Sequence, residues 1–249
     1  MQLTDLSSRV IPATDYRRER WRNQLGWTRE ILRLGDAEHW ALRLSIAEIE
    51  QDAVFSAFPG VDRELVLLHG NGMRLQFGNG EHAADGDAGH GDAAGADADA
   101  DADAGRDTGQ SGDLLINAAA GVASPRAGRR VALLPPYQRV RFAGEETASA
   151  ELLDGPTQDF NLMWRRDLLR TELLHRPLVG TMLFFADPSN AWAIHLLAGQ
   201  ASFGRDSALP PLAAGDTAWL SAATRSRYVL DGGGELLAIR VSPYPGAAE

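Results

Sequence analysis

The sequence contains no cysteine, which excludes disulfides, thiolate nucleophiles and cysteine-ligated metals together. No run approaches about 18 consecutive apolar residues, so no membrane-spanning helix is expected. The N-terminus lacks the basic-then-apolar pattern of a secretory signal, and a cytoplasmic protein is the simplest expectation. Positive charge is also scarce. Acids outnumber bases by 34 to 24, for a net charge of −10. Of that, −8 resides between Gly78 and Gly112, which holds nine acids and one arginine, and the rest of the chain carries only −2. A nearly neutral folded part offers no basic face for nucleic acid.

Metal and nucleophile signatures are missing too. Histidines stand at positions 39, 69, 82, 90, 175 and 195, and no two have the His-x-His spacing of a paired metal-ligand motif. His69 sits beside a glycine turn and His195 within an alternating segment, where a lone imidazole is more often a core or rim residue than a ligand. No zinc or iron site is expected, and no cofactor. No Gly-x-Ser-x-Gly elbow surrounds Ser45 or Ser56, so no catalytic residue is assigned.

Hydrophobic residues make up 44% and charged residues 23%, as in an ordinary globular protein. The segment 78–112, almost wholly Ala, Asp and Gly, has no large apolar side chain to bury and reads as a disordered loop between strands at Met73–Phe77 and Leu114–Asn117. A calcium-binding repeat is the rival reading, but neither the nonapeptide period nor the EF-hand pattern is present.

Elsewhere, short apolar runs recur with turn signals between them, which predicts an all-β protein. Expected strands are Trp40–Ile49, Glu64–His69, Met73–Phe77, Arg130–Leu134, Arg139–Phe142, Ala148–Leu153 and Phe160–Trp164. Val179–Phe185, Ala191–Leu197, Thr217–Leu220, Arg227–Leu230 and Glu235–Val241 follow, while Arg165–Arg176 could be strand or short helix. Gly70-Asn71-Gly72 reads as a hairpin turn. In the C-terminal third, turns are expected at Ala198-Gly199-Gln200, at Gly215-Asp216 and at Gly232–Gly234. That rhythm is the cadence of a cupin double-stranded β-helix, and the first half echoes it. A bicupin is expected, with halves at 1–145 and 146–249 and the 78–112 loop interrupting the first.

Phe55-Ser56-Ala57-Phe58-Pro59-Gly60-Val61-Asp62-Arg63 is the most informative stretch. Pro59-Gly60 forms a tight turn that delivers Asp62 and Arg63 to the start of a strand, placing Arg63 at the mouth of a barrel. Arg43, Ser45 and Ala47 share one face of an alternating strand, and Asp159, Asn161 and Met163 share one face of another. An arginine on such a face needs a partner or a ligand, because an unpaired buried charge is costly. Facing outward is the alternative for Arg43, and closing a turn the alternative for Asp159 and Asn161.

Several of these motifs together resemble the HutD/Ves family of bacterial proteins. They are Trp21-Arg22-Asn23-x-x-Gly26-x-Thr28-Arg29-Glu30, Trp40-x-x-Arg43-Leu44-Ser45-Ile46-Ala47 and Phe55-Ser56-x-Phe58-Pro59-Gly60-x-Asp62-Arg63. Phe142-x-Gly144-Glu145, Leu153-Asp154-Gly155-Pro156 and Asp159–Met163 with Arg165-Arg166 continue the series. The family usually has a glycine-rich turn after the asparagine of the first motif, where this chain has Gln24-Leu25.

The resemblance implies an RmlC-like bicupin associated with histidine utilisation, as an accessory or regulatory factor more than an enzyme. It also implies a metal-free ligand site, drawn from Arg63, Arg43, Asn23, Thr28, Ser45, Ser56, Phe58 and Asn161. Pathway intermediates such as urocanate and N-formylglutamate are carboxylates, which the planar fork of an arginine recognises well. The competing expectation is a metal-independent isomerase or hydrolase using Ser45, Ser56, His69 and Glu145. Homodimer formation is left open.

Overall fold

Alternation of side chains decides most of the architecture. The computed structural model describes residues 2–78 and 128–246. Nearly all of loop 78–112, the strand expected at 114–117, His82 and His90 lie outside the described residues. In chain order the strands are β1 (Arg9–Ile11), β2 (Arg17–Arg20), β3 (Gly26–Gly35), β4 (Trp40–Ile49), β5 (Ala53–Phe55) and β6 (Val61–His69). They continue with β7 (Met73–Phe77), β8 (Arg130–Leu133), β9 (Arg139–Ala143), β10 (Ala148–Leu152) and β11 (Thr157–Arg165). The last are β12 (Leu169–Ala186), β13 (Ala191–Phe203), β14 (Leu212–Ala213), β15 (Thr217–Leu220) and β16 (Ser226–Pro243).

These strands build two cupin-like barrels. A sheet ordered β2-β3-β4-β11-β6-β9 packs on a second ordered β5-β10-β7-β8. Between them lies a core that includes Leu65, Leu67, Leu75, Phe77 and Phe142. A third sheet, β1-β15-β13-β16-β12 with β14 on β13, wraps its long strands around its own core of Leu178, Phe184, Leu196, Leu230 and Leu236. Strand pairing assigns 148–165 to the first barrel and 9–11 to the third sheet, where the sequence reading divides the chain between 145 and 146.

A third core joins the barrels, and it explains why β4 and β11 are buried on both faces. Leu42, Leu44, Ile46, Phe160, Leu162 and Trp164 pack against Trp219, Ile239 and Val241. The alternate residues of the same strands therefore point into the first barrel. Arg43 is on this inner face, not directed to solvent.

Three turn readings need correction. Gly70-Asn71-Gly72 is not a hairpin turn, because β6 and β7 belong to different sheets and the segment is a corner between them. Gly199-Gln200 and Gly232–Gly234 lie inside β13 and β16, which stay paired through them. A Cβ on Gly199 would lie 1.9 Å from the Gly233 carbonyl oxygen, so the glycines let two backbones cross closely where the sheet bends. Arg165–Arg176 leads into strand β12, with Leu169 and Leu173 buried, and forms no helix.

Candidate functional site

The turn that opens the site has the geometry its sequence requires. Val61 N donates to the Phe58 carbonyl at 3.2 Å, and Gly60 takes φ +76°, a conformation glycine adopts without a Cβ penalty. Three sequence motifs meet there. Gly60 N donates to Glu145 Oε1 at 2.6 Å, and Phe58 N donates to the Gly144 carbonyl at 2.7 Å. Arg166 donates to Asp62 Oδ1 (2.8 Å), the Val61 carbonyl (2.8 Å) and Glu145 Oε2 (2.6 Å). Glu145 is thus a clasp on the outside of the turn.

Asp62 and Arg63 point to opposite sides, as neighbours on a strand must. Asp62 binds Arg141 and Arg166 on the outer surface. It borders a groove of about 420 Å³ lined also by Trp164, Arg170 and Tyr244. Arg63 turns inward and is buried, with 5% relative exposure, so it lies inside the barrel instead of at its mouth. Its guanidinium carbon lies 5.2 Å from the Phe55 ring centre, 5.7 Å from Phe58 and 5.1 Å from Phe142. Trp40 packs edge-on against Phe58 behind this cage. Among the described residues its Nη1 donates to the Ser56 carbonyl at 3.4 Å, and Nε has no partner. Among the described residues no carboxylate lies within ion-pair distance of Arg63.

Register sets the remaining groups. Phe142, Arg63, Met163 and Arg43 form one row across the inner wall. Leu65, Asn161, Ser45 and Glu30 form the next, and Leu67, Asp159, Ala47 and Thr28 the one after. Arg43 is already engaged: its Nε donates to Glu30 Oε2 at 2.9 Å, and Arg33 donates to the same oxygen at 2.5 Å. Burial works against the Glu30 charge, but the Arg33 hydrogen bond and the charges of Arg43 and Arg33 keep its carboxyl below the usual range. Arg63, by contrast, has no carboxylate partner among the described residues.

Asp159 carries the strongest perturbation here. It is fully buried, and among the described residues neither carboxylate oxygen has a hydrogen-bond partner. Burial pushes its carboxyl up to about 7 against the opposing field of Arg63. The loss of hydration likewise pulls Arg63 down to about 10, with Asp159 resisting and Arg43 reinforcing the shift. Asn161 Oδ1 and Thr157 Oγ1 are buried and unpartnered on the same strand face.

The other expected residues divide clearly. Ser45 is buried in the central row. Thr28 lies on the inner face, but its hydroxyl accepts from Trp21 Nε1 at 2.8 Å. Phe58 belongs to the cage around Arg63, whereas exposed Ser56 reaches the site only through its carbonyl. Asn23 is exposed and its Oδ1 accepts from Leu25 N at 3.1 Å, holding the local turn. The Ser45, Ser56, His69 and Glu145 set does not come together: His69 is exposed at the end of β6 and Glu145 serves the turn. His195 is a buried core residue, its Nδ1 at 2.9 Å from Thr217 Oγ1, and burial draws it down to about 4. Among the described residues no three His, Asp or Glu side chains are grouped so as to hold a metal ion. Asp159, Glu30, Phe55 and Phe142 complete the site beyond the expected set. The alternation of Thr157, Asp159 and Asn161 is the signal that points to Asp159.

Fold and site together define a cupin protein whose first barrel has an arginine-centred polar interior. The family model for HutD matches residues 13–129 and 122–238, and the chain belongs to the HutD family. An uncharacterized 21.2 kDa protein in the hutC 3' region of Pseudomonas putida is 28% identical over 166 residues, covering 66% of this chain and 62% of that one. Protein Ves of Cronobacter sakazakii is 29% identical over 154 residues, covering 61% and 58%. The chain therefore spans less than two thirds of the length of these curated relatives. HutD from Pseudomonas fluorescens SBW25, solved in a formate condition, superposes with a TM-score of 0.66 at 22% identity, over 96% of this chain and 100% of that one. No helix among the described residues is long and apolar enough to cross a membrane.

Proposed function

We propose that the first barrel is a metal-free receptor for a small carboxylate and that the protein acts as an accessory or regulatory factor in histidine utilisation. One observation carries this reading: a buried guanidinium, caged by three phenylalanine rings, has no carboxylate partner among the described residues. A charge so desolvated is costly unless something completes its hydrogen bonds. A ligand carboxylate does so with the bidentate geometry that guanidinium favours. Arg43 cannot replace it, because Glu30 already neutralises that side chain. The family relationship supplies the biological context, and urocanate and N-formylglutamate are the first ligands to try.

Calorimetric titration of the full chain with urocanate, N-formylglutamate and glutamate tests the reading. Saturable binding that Arg63→Met weakens at least about tenfold is expected, as for loss of a buried charged hydrogen-bond partner. Absence of binding by correctly folded protein at millimolar ligand would overturn it.

A further inference from the structure

Among the described residues, the unpartnered side-chain atoms on the inner face of β11 are all oxygens. Both oxygens of Asp159 and the Oδ1 of Asn161 are buried without a donor, while the guanidinium of Arg63 leaves Nε unmatched. A simple carboxylate would complete Arg63 but would bring a second negative charge toward Asp159 and leave every acceptor unmet. The two residues paired with Asp159 have no side-chain donor to offer it. Asp159 is flanked in register by Ala47 on β4 and Leu67 on β6, and Asn161 by Ser45 and Leu65. Beyond Ala47, the hydroxyl of Thr28 accepts from Trp21 Nε1 and makes no hydrogen bond to Asp159.

Spacing along β11 suits a ligand with two functions. Asn161 lies one inward step from the row of Arg63, about 7 Å along the strand, and Asp159 lies a second step deeper. Arg63 and Asp159 each lie in the other's electrostatic field. Phe160 and Leu162, the intervening residues, face the core between the barrels and hold the polar ones inward.

We infer that Asp159 is a specificity-determining residue that accepts an N–H from the ligand, so that the barrel selects carboxylates carrying an imidazole or amide N–H over carboxylates without one. The inference rests on the carboxylate-receptor reading above. Arg63 holds the acid, Asp159 reads the N–H, and Asn161 lies between them with an acceptor to spare. A site that leaves a buried acceptor unmatched discriminates strongly against ligands lacking the donor.

The test is a matched pair of probes titrated calorimetrically into the full chain at pH 7.5: urocanate, and the N–H-free 3-(2-furyl)acrylate. Wild type is expected to bind urocanate at least about tenfold more tightly. In Asp159→Leu, similar in size but without an acceptor, that preference should shrink to about twofold or less, with furylacrylate binding little changed. Equal binding of the two probes by wild type, or an undiminished preference in Asp159→Leu, would overturn the inference while leaving the carboxylate receptor standing. Failure of both probes to bind wild type would overturn the inference, and the receptor reading falls with it if N-formylglutamate and glutamate also fail to bind. If Asp159→Leu does not fold, the wild-type ratio alone decides.

Discussion

Arg63 and Asp159 are buried in the same barrel, each within the other's field, yet neither Asp159 oxygen accepts a hydrogen bond from Arg63. Two opposite charges this desolvated usually close into an ion pair. Here the gap between them is bordered by Asn161 and by apolar neighbours, and their coupling should be measurable. Arg63→Met is expected to destabilise the protein more in the wild-type background than in an Asp159→Asn background. Removing the cation leaves the buried carboxylate uncompensated only in the former. A double-mutant cycle by urea denaturation at pH 7.5 should give a coupling of about 1 kcal/mol or more. Additive effects would show that the two groups do not sense each other.

Asp159 also predicts a pH dependence with a definite sign. Its folded-state value, about 7, lies above the ordinary 3.8. Between these limits the native state binds more protons than the unfolded state, so this contribution to stability falls as pH rises from about 4 to 7 and is flat above. His195 opposes it. Burial lowers the imidazole to about 4, below its ordinary 6.5, so the unfolded state binds more protons in that window and stability rises with pH. A single pH–stability curve therefore blends two opposite slopes. The difference between wild type and Asp159→Asn isolates the carboxyl. Measured by denaturant midpoints at pH 5, 6 and 7, the stability of Asp159→Asn relative to wild type should climb by roughly 1 kcal/mol per pH unit. A constant difference would mean that Asp159 titrates normally.

Much of this fold is legible in the chain, and the reasons differ by residue. The β4 span Trp40–Ile49 follows from apolar–polar alternation, as do the opposed faces of Phe160 and Asn161 on β11. What alternation cannot say is what each face meets. Arg43 reads equally well as a surface residue, and only packing of Leu42, Leu44 and Ile46 against the second barrel turns it inward. β2 and β3 escape notice because Arg, Glu and Thr break up their apolar pattern, and β1 and β5 because three residues are too few to show one; long-range pairing stabilises them instead. Glycine misleads at Gly199 and Gly232–Gly234, where it serves a close backbone crossing and not a turn. Arg63 stands out in sequence because a Pro-Gly turn announces it. Asp159 is marked only by alternation, which gives its face but not its surroundings, and that its neighbours Ala47 and Leu67 cannot donate a hydrogen bond appears only from the register.

The departure at Gln24 has a structural consequence. Gln24 adopts φ +61°, in the left-handed region that penalises residues with a Cβ, and its carbonyl accepts from Arg20. Gln24→Gly would relieve that strain, with part of the gain offset by the greater freedom of glycine in the unfolded chain. A stabilisation of about 0.5–1 kcal/mol is expected, read as a rise in Tm with ligand affinity unchanged. A loss of stability would show that the side chain of Gln24 contributes more than its backbone strain costs.

Gly144 connects the outer clasp to the cage around Arg63. A Cβ there would lie 2.5 Å from the Phe58 carbonyl oxygen and 2.8 Å from that of Val61. Neither oxygen is free to yield: Phe58 O accepts from Val61 N, and Val61 O accepts from Gly144 N and Arg166. Gly144→Ala must therefore push the Phe58–Val61 turn outward, carrying the Phe58 ring away from the guanidinium. The expected cost is about 1–3 kcal/mol of stability, as for overpacking elsewhere, together with weaker carboxylate binding. Glu145→Gln provides the contrast, because it keeps an oxygen for Gly60 N and loses only the charge facing Arg166. It should cost less than about 1 kcal/mol, as for an exposed ion pair, and leave binding nearly intact. If Gly144→Ala lowered Tm without touching affinity, the position of the Phe58 ring would not matter to the ligand, and the cage would be structural only.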